Sequence, residues 1–265
     1  MLKKTSFKNL SQQALLLEGQ KPLILLHGFT EDHRIWQGVL PHLGNQFKLV
    51  LPDLPGSGAS AFHPHMTIDE MAEVVVHWLD TAAIQEAAVI GHSMGGYVAL
   101  SMARQYPQRV TALCLCASHP YADNDEKRNQ RNRTISLINE KGSSHFLTAF
   151  LPSLFAPQNL PSQTAAIEAL RALNAEFLPG AHQMQLAAMR ERSDHSTWLA
   201  SWDKPFGLLL GADDPLIPVA LQFEMATLAP QTYFRRIAGA GHMLSYENPL
   251  ATAEGIVEFM NFAHT

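Results

Sequence analysis

Cysteine is almost missing from this chain, which has only Cys114 and Cys116 among its 265 residues. The two lie two apart in the strand-like run Val110 to Cys116, so they project on one face and do not bridge easily. A disulfide-stapled scaffold is excluded, and the pair reads as small core residues in a reducing compartment. Charge is sparse too: Asp, Glu, Lys and Arg make up 16% of the chain, for a formal net charge of −5. The densest basic stretch, Lys127 to Arg133, is diluted by Asn and Gln and offers no face that could neutralise phosphates, so nucleic acid is not an expected partner. Long apolar runs are absent as well. Lys3 and Lys4 are followed by polar Thr5 to Gln13 and then only Ala14 to Leu17, too short for a signal sequence, and no stretch is long enough to span a bilayer. The expectation is a soluble cytoplasmic protein that does not engage a membrane. No Cys/His cluster has zinc spacing, no HExxH occurs and the Walker pattern is missing, so neither a metal nor a cofactor is expected. Repeats and low-complexity tracts are also lacking, and oligomeric state is left open.

What is present is a chain that is 46% hydrophobic, enough to bury one large core and suited to one α/β domain with an insertion. Short apolar runs at Leu23 to Leu26, Phe47 to Leu51, Ala87 to Ile90 and Val110 to Cys116 alternate with helical patterns, as in a parallel sheet with helical crossovers. Ile68, Met71, Ala72, Val75 and Leu79 recur at helical spacing behind a Thr67/Glu70 capping box, and Tyr97 to Tyr106 continues as a second helix. The alternation resumes late, with strands at Phe206 to Leu210 and Thr232 to Ile237 and helices at Val219 to Leu228 and Ala251 to Phe262. Between them, residues 119–201 open polar and charged and run on through helix-like segments broken by Gly142, Pro152, Pro157, Pro161 and Pro179-Gly180. This division places an α/β core at 1–118 and 202–265, with a helical lid inserted at 119–201.

Within the core, Gly91-His92-Ser93-Met94-Gly95 follows the apolar run Ala87 to Ile90 and opens a helix. A serine at the tip of so tight a strand-to-helix turn sits in strained backbone, and side chains two residues either side would collide with strand and helix; Gly91 and Gly95 remove those collisions. The same turn leaves the Met94 N–H unpaired at a helix start, aimed where negative charge would develop. Such a pentapeptide arises by chance in roughly one chain in ten of this length, so its meaning depends on company.

A nucleophilic serine needs a base and a group to orient that base. Asp213 and Asp214, in Gly211-Ala212-Asp213-Asp214-Pro215, directly follow the strand ending at Leu210. His242, in Gly239-Ala240-Gly241-His242, follows the strand ending at Ile237. Both groups emerge at the carboxyl edge of the sheet, where ligands bind in open α/β folds. The order Ser, Asp, His resembles the α/β-hydrolase superfamily over nearly the whole chain. That resemblance implies an α/β-hydrolase fold: a mostly parallel central sheet flanked by helices, with a helical lid. It matches Ser93 to the nucleophile and His242 to the general base, and its Gly-x-x-Asp pattern selects Asp214 over Asp213. His27-Gly28-Phe29 resembles the loop that brings a second backbone N–H, that of Phe29, to an oxyanion hole shared with Met94. Asp53 to Ser60 resembles a supporting turn in which Asp53 holds loop backbone.

The activity implied is hydrolysis of a carboxylic ester or thioester of a small to medium acyl group, a small-molecule substrate, through an acyl-enzyme. Trp36, Tyr97, His119, Trp198 and Met243, with Tyr121, Phe146, Phe150, Phe155 and Phe177, form an aromatic and apolar set from which a pocket could be drawn. Carbon–carbon bond hydrolases and the menaquinone-pathway synthase share the same triad. The synthase usually carries an arginine where this chain has Tyr97, which ranks it below simple hydrolysis. A ligand receptor on the same fold is the alternative from outside enzymology.

Overall fold

In the computed structural model, which describes residues 1–264, the apolar runs become strands of one sheet. The strands are β1 (Leu2–Phe7), β2 (Leu10–Leu17), β3 (Lys21–Leu26), β4 (Phe47–Asp53), β5 (Ala87–His92), β6 (Val110–Cys116), β7 (Phe206–Gly211) and β8 (Thr232–Ile237). Their order in the sheet is β1-β2-β4-β3-β5-β6-β7-β8. From β4 onward every neighbouring pair is parallel; β1 and β2 join antiparallel at one edge.

Burial on both faces explains why the central strands read as continuous apolar runs rather than as alternation. Ile24 and Leu26 belong to one core and Leu23 and Leu25 to the other, as the two-residue period of a strand requires. The helices that cover these faces are α1 (Leu40–Leu43), α2 (Ile68–Thr81) and α3 (Met94–Gln105); α4 (Asp125–Lys141), α5 (Ser143–Phe150), α6 (Thr164–Ala175), α7 (Ala181–Arg190) and α8 (Ser196–Leu199) follow β6; α9 (Val219–Met225), α10 (Leu244–Glu247) and α11 (Pro249–Phe262) complete the chain. Helix α2 begins with the capping box that the sequence signals: Glu70 N–H donates to Thr67 Oγ1 at 3.1 Å and Thr67 N–H donates to Glu70 Oε2 at 3.0 Å.

The β1–β2 hairpin is the part of the sheet that the sequence reading lacks. Lys3 and Lys4 sit on an exposed edge strand, where charge blocks pairing with other chains and hides the strand signal. Its turn places Lys8 and Asn9 at φ of 48° and 67°. That double left-handed geometry is usually announced by Asn-Gly, and here it is not.

Among the described residues, 119–201 add no strand to the sheet. Helix α4 packs on α5 and α7, and the segment is tied to core loops by specific hydrogen bonds. Asn174 Nδ2 donates to the Thr30 carbonyl at 2.9 Å, Gln185 Nε2 to Pro55 O at 3.1 Å and Ser57 Oγ at 3.0 Å, and His242 N–H to Leu154 O at 3.0 Å. Glu247 adds a further link, accepting from Ala156 N–H and Gly241 N–H at 2.8 Å each.

Candidate active site

Four loops at the carboxyl ends of β3, β5, β7 and β8 meet above the sheet. The loop after β5 holds Ser93 at φ 49° and ψ −116°, a region that costs of order 1–3 kcal/mol for a residue with a Cβ. Neighbouring hydrogen bonds fix it there: Ser93 N–H donates to Cys116 O at 2.9 Å, and the Ser93 carbonyl accepts from Ser118 Oγ at 2.7 Å and Gly96 N–H at 2.9 Å. A Cβ on Gly91 would come within 2.2 Å of the Gly95 carbonyl oxygen, and one on Gly95 within 2.5 Å of the His27 carbonyl oxygen. Only glycines allow the turn to close.

His242 reaches Ser93 Oγ through Nε2 at 2.9 Å, and its Nδ1 meets Asp214 Oδ2 at 2.9 Å. The other carboxylate oxygen of Asp214 accepts from the N–H groups of Leu216 at 2.8 Å and Ile217 at 3.1 Å. Burial opposes the charge, but the His242 ring and these donors outweigh it and hold the Asp214 carboxyl below its usual range. Asp213 is exposed and turned away, with Gln158 Nε2 donating to it at 2.9 Å. Of the two carboxylates in the Asp-Asp-Pro run, the structure therefore brings Asp214 to the imidazole.

The Met94 N–H opens α3, and the Phe29 N–H lies in the loop after β3; among the described residues neither donates to a protein acceptor. The donor at Phe29 is aimed by His27. Leu54 N–H donates to His27 Nε2 at 2.8 Å, so Nδ1 carries the ring proton and donates to Gly28 O at 2.8 Å. Because a trans peptide is planar, fixing the Gly28 carbonyl also fixes the Phe29 N–H on its opposite side. Burial lowers the His27 pKa and keeps the ring in this neutral form.

The serine opens into a cleft of about 830 Å³. Phe29, Tyr97, His119 and Phe150 line it with Met189, Leu216, Ile217 and Pro218. Tyr97 Oη meets His119 Nε2 at 3.2 Å, and burial, followed by the nearby Arg192 charge, pushes the His119 pKa down to about 3. Of the ten residues expected in the pocket, Tyr121, Phe146, Phe155 and Phe177 are not in this lining, and neither are Trp36, Trp198 and Met243. Trp36 and Met243 are fully buried in the core on the α1/α11 side, where large apolar side chains fill space between helices and sheet. Trp198 packs 5.3 Å from the Trp202 ring, with the Arg104 guanidinium 5.9 Å from its own.

The rest of the lining departs from the expected aromatic set. It carries Asp123, Asn124, Glu126, Lys127, Gln130 and Arg131. Positions 127, 130 and 131 share one face of α4, with Asp123 just before its N-cap Asn124, a sign that could have been read as a cleft-facing polar face. Partial burial and the Arg131 charge lower the Lys127 pKa, and the buried Asp123 carboxylate is shared by Arg131 and by Arg192, the latter at 2.6 Å. Arg192 also lies over the Tyr97 ring at 4.0 Å.

Asp32, His33 and Asp53 cluster within 4.8 Å, but their atoms are committed to the loop. Asp32 takes Arg34 at 2.7 Å, and Asp53 accepts from the His33 backbone at 2.9 Å, the His33 ring at 2.6 Å and Gln13 at 2.9 Å. Asp53 thus holds loop backbone.

A sheet of this order, with a serine elbow after β5 and an Asp and a His following later strands, defines an α/β hydrolase. The chain belongs to that family: the family model described as alpha/beta hydrolase fold matches residues 21–249. It is 30% identical over 256 residues to the pimeloyl-[acyl-carrier protein] methyl ester esterase of Yersinia enterocolitica, covering 94% of this chain and 96% of that one. The enzyme of the same name from Sodalis glossinidius is 31% identical over 261 residues, covering 91% and 94%. Among solved structures, a thermophilic esterase from Thermogutta terrifontis superposes with a TM-score of 0.91 at 26% identity, over 100% of both chains. Among the described residues no helix is long and apolar enough to cross a membrane.

Proposed function

We propose that the chain hydrolyses carboxylic esters with Ser93 as nucleophile, His242 as general base and Asp214 as the group that holds the base. His242 takes the Ser93 proton as Oγ attacks the ester carbonyl, and Asp214 stabilises the resulting imidazolium. The Phe29 and Met94 N–H groups donate to the oxyanion, the alcohol leaves with the proton from His242, and water activated by the same ring releases the acid. The observation that carries this reading is the continuous chain from Ser93 Oγ through His242 to Asp214, 2.9 Å at each step, built on a serine in strained backbone.

Methyl esters of medium-length acyl chains are the substrate class we favour. The relatives named above support it, as does a cleft lined by both apolar and polar side chains. Residues 119–201 serve as the lid that supplies most of the polar ones. A cytoplasmic setting suits Cys114 and Cys116, which are free and buried. The test is burst release of p-nitrophenol from short-chain esters, followed by an acyl-length series of methyl esters. Ser93→Ala should abolish the burst and lower turnover by about 10⁴ or more; retention of a tenth of the activity overturns the reading.

A further inference from the structure

Beneath the proposed triad lies a second carboxylate–imidazole pair that the mechanism above does not use. Glu31 and His92 are out of solvent, their side chains 2% and 0% exposed. Glu31 Oε2 meets His92 Nδ1 at 3.0 Å and also accepts the Gly28 N–H at 2.5 Å. On its far side, His92 Nε2 lies 2.9 Å from the His242 carbonyl oxygen. A carbonyl can only accept, so Nε2 carries a proton there, and the pair holds its second proton between Nδ1 and Oε2. Burial disfavours the charged ring, but Glu31 and the His242 carbonyl outweigh it and raise the His92 pKa.

The geometry points to Glu31 and His92 as positioning residues that lock the oxyanion loop and the His242 loop into one register. This rests on the ester-hydrolase reading of the same site. Phe29 and His242 come from the ends of β3 and β8, and β5, β6 and β7 stand between those strands in the sheet. Among the described residues no strand ladder joins the two loops directly. The path Gly28 N–H, Glu31 Oε2, His92 ring, His242 C=O crosses that gap in three hydrogen bonds, passing under Ser93. Packing leaves little slack: a Cβ on Gly28 would lie 2.8 Å from Glu31 Oε2, 3.0 Å from Ser93 Cβ and 3.1 Å from His92 Nδ1. The Trp36 ring stands edge-on to His92, 6.4 Å between centroids, and closes the other side. Removing two such groups from water is costly, and an apolar pair of similar volume would serve stability as well. What an apolar pair could not do is hold a backbone N–H of one catalytic loop and a backbone carbonyl of another.

The experiment compares Glu31→Gln and Glu31→Leu with the parent enzyme on a neutral short-chain ester. Active sites are counted by reaction with a fluorophosphonate run to completion, so that misfolded protein drops out of kcat. An alkyl boronic acid, which forms a tetrahedral serine adduct with an oxygen in the oxyanion hole, reports the hole separately. Gln keeps an acceptor for the Gly28 N–H and can donate to a neutral His92 Nδ1, without the charge, and should lower kcat per titrated site by about 10-fold. Leu strands the Gly28 N–H, leaves Nδ1 without a partner and should lower it by about 100-fold, the scale of losing one oxyanion donor. KM should stay within about 3-fold, and boronate affinity should fall in parallel with kcat. If the Leu variant does not fold, Glu31→Gln decides. Per-site kcat and boronate affinity within 2-fold of the parent for the folded variants, or a loss confined to KM, overturns the inference. Ser93→Ala separates the two claims: a dead Ser93→Ala with intact Glu31 variants sinks only the positioning role, while an active Ser93→Ala sinks the hydrolase reading itself.

Discussion

Asn174, on α6, donates through Nδ2 to the Thr30 carbonyl at 2.9 Å, while its Oδ1 meets His182 Nε2 of α7 at 2.8 Å. Helices α6 and α7 thereby brace the residue directly after Phe29. Thr30 needs that brace, since it is fully buried at φ 65°, where a residue with a Cβ is strained. Asn174→Leu leaves the Thr30 carbonyl and the His182 donor without their partner. The expected result is a stability loss of about 1–3 kcal/mol in urea unfolding, with kcat per titrated active site falling as well. A variant that loses stability but keeps full per-site turnover would show that α6 and α7 brace the fold without tuning the loop that carries Phe29.

Asp213 and Asp214 are neighbours with opposite surroundings, and their substitutions should separate by orders of magnitude. Asp214→Asn removes the charge facing His242 Nδ1 and favours the wrong tautomer, which should cost about 10⁴ in kcat. Asp213→Asn keeps an acceptor for Gln158 at the surface and should stay within about 3-fold. Steady-state kinetics on one ester substrate checks both, and equal losses would mean that the acid has been assigned to the wrong residue.

How much of this was legible beforehand depended on which physical signal each part left. The central strands and the capping box of α2 are local patterns, as are the glycine-flanked strand ends that carry Ser93, Asp214 and His242, and the structure brings those three side chains together at the carboxyl edge of the sheet. The β1–β2 hairpin escaped because its edge strand is charged and its turn carries Lys8-Asn9 in place of Asn-Gly. Trp36, Phe155 and Met243 are core residues, and with Tyr121, Phe146, Phe177 and Trp198 they fall outside the cleft lining, because an aromatic or apolar side chain reads the same in a core and in a pocket. Only tertiary packing separates the two. Glu31 escaped for the converse reason: a lone carboxylate after a strand has no periodicity, and its partner lies 61 residues away in the chain.

His182 gives the fold a dependence on mild acid. Burial pushes its pKa down to about 4, and in the unfolded chain the ring titrates near 6.5. Between those values the unfolded state binds the additional proton, so stability rises with pH across the window and falls as pH drops from about 6.5 toward 4. The full window corresponds to about 3 kcal/mol at 1.36 kcal/mol per pH unit. His182→Gln retains an N–H donor for Asn174 but does not titrate there. Urea unfolding at steps between pH 7 and pH 4 should show a shallower slope for this variant. Parallel curves would mean that His182 is free to protonate in the folded protein. Asp214, held below its usual range, contributes in the same direction but at lower pH, with its stabilisation lost below about 4.

Asp123 stands between two guanidiniums at the cleft wall, its side chain 2% exposed, with Arg192 at 2.6 Å and Arg131 as its second partner. Asp123→Asn leaves two cations facing each other with one charge-neutralising partner gone. Breaking a buried ion pair in this way costs about 3–5 kcal/mol, to be read as a lower midpoint in thermal and urea unfolding. Glu191→Gln is the matched control, because its partners Arg128 and Arg190 are solvent-exposed in part and such surface pairs contribute about 0–1 kcal/mol. Arg192 also covers the Tyr97 ring, which borders the serine, so the Asp123 variant should in addition raise KM for the longer acyl esters before it alters kcat. If Asp123→Asn and Glu191→Gln lose the same small amount, the Asp123 cluster is wetter than its geometry indicates, and this wall of the cleft is held by helix packing alone.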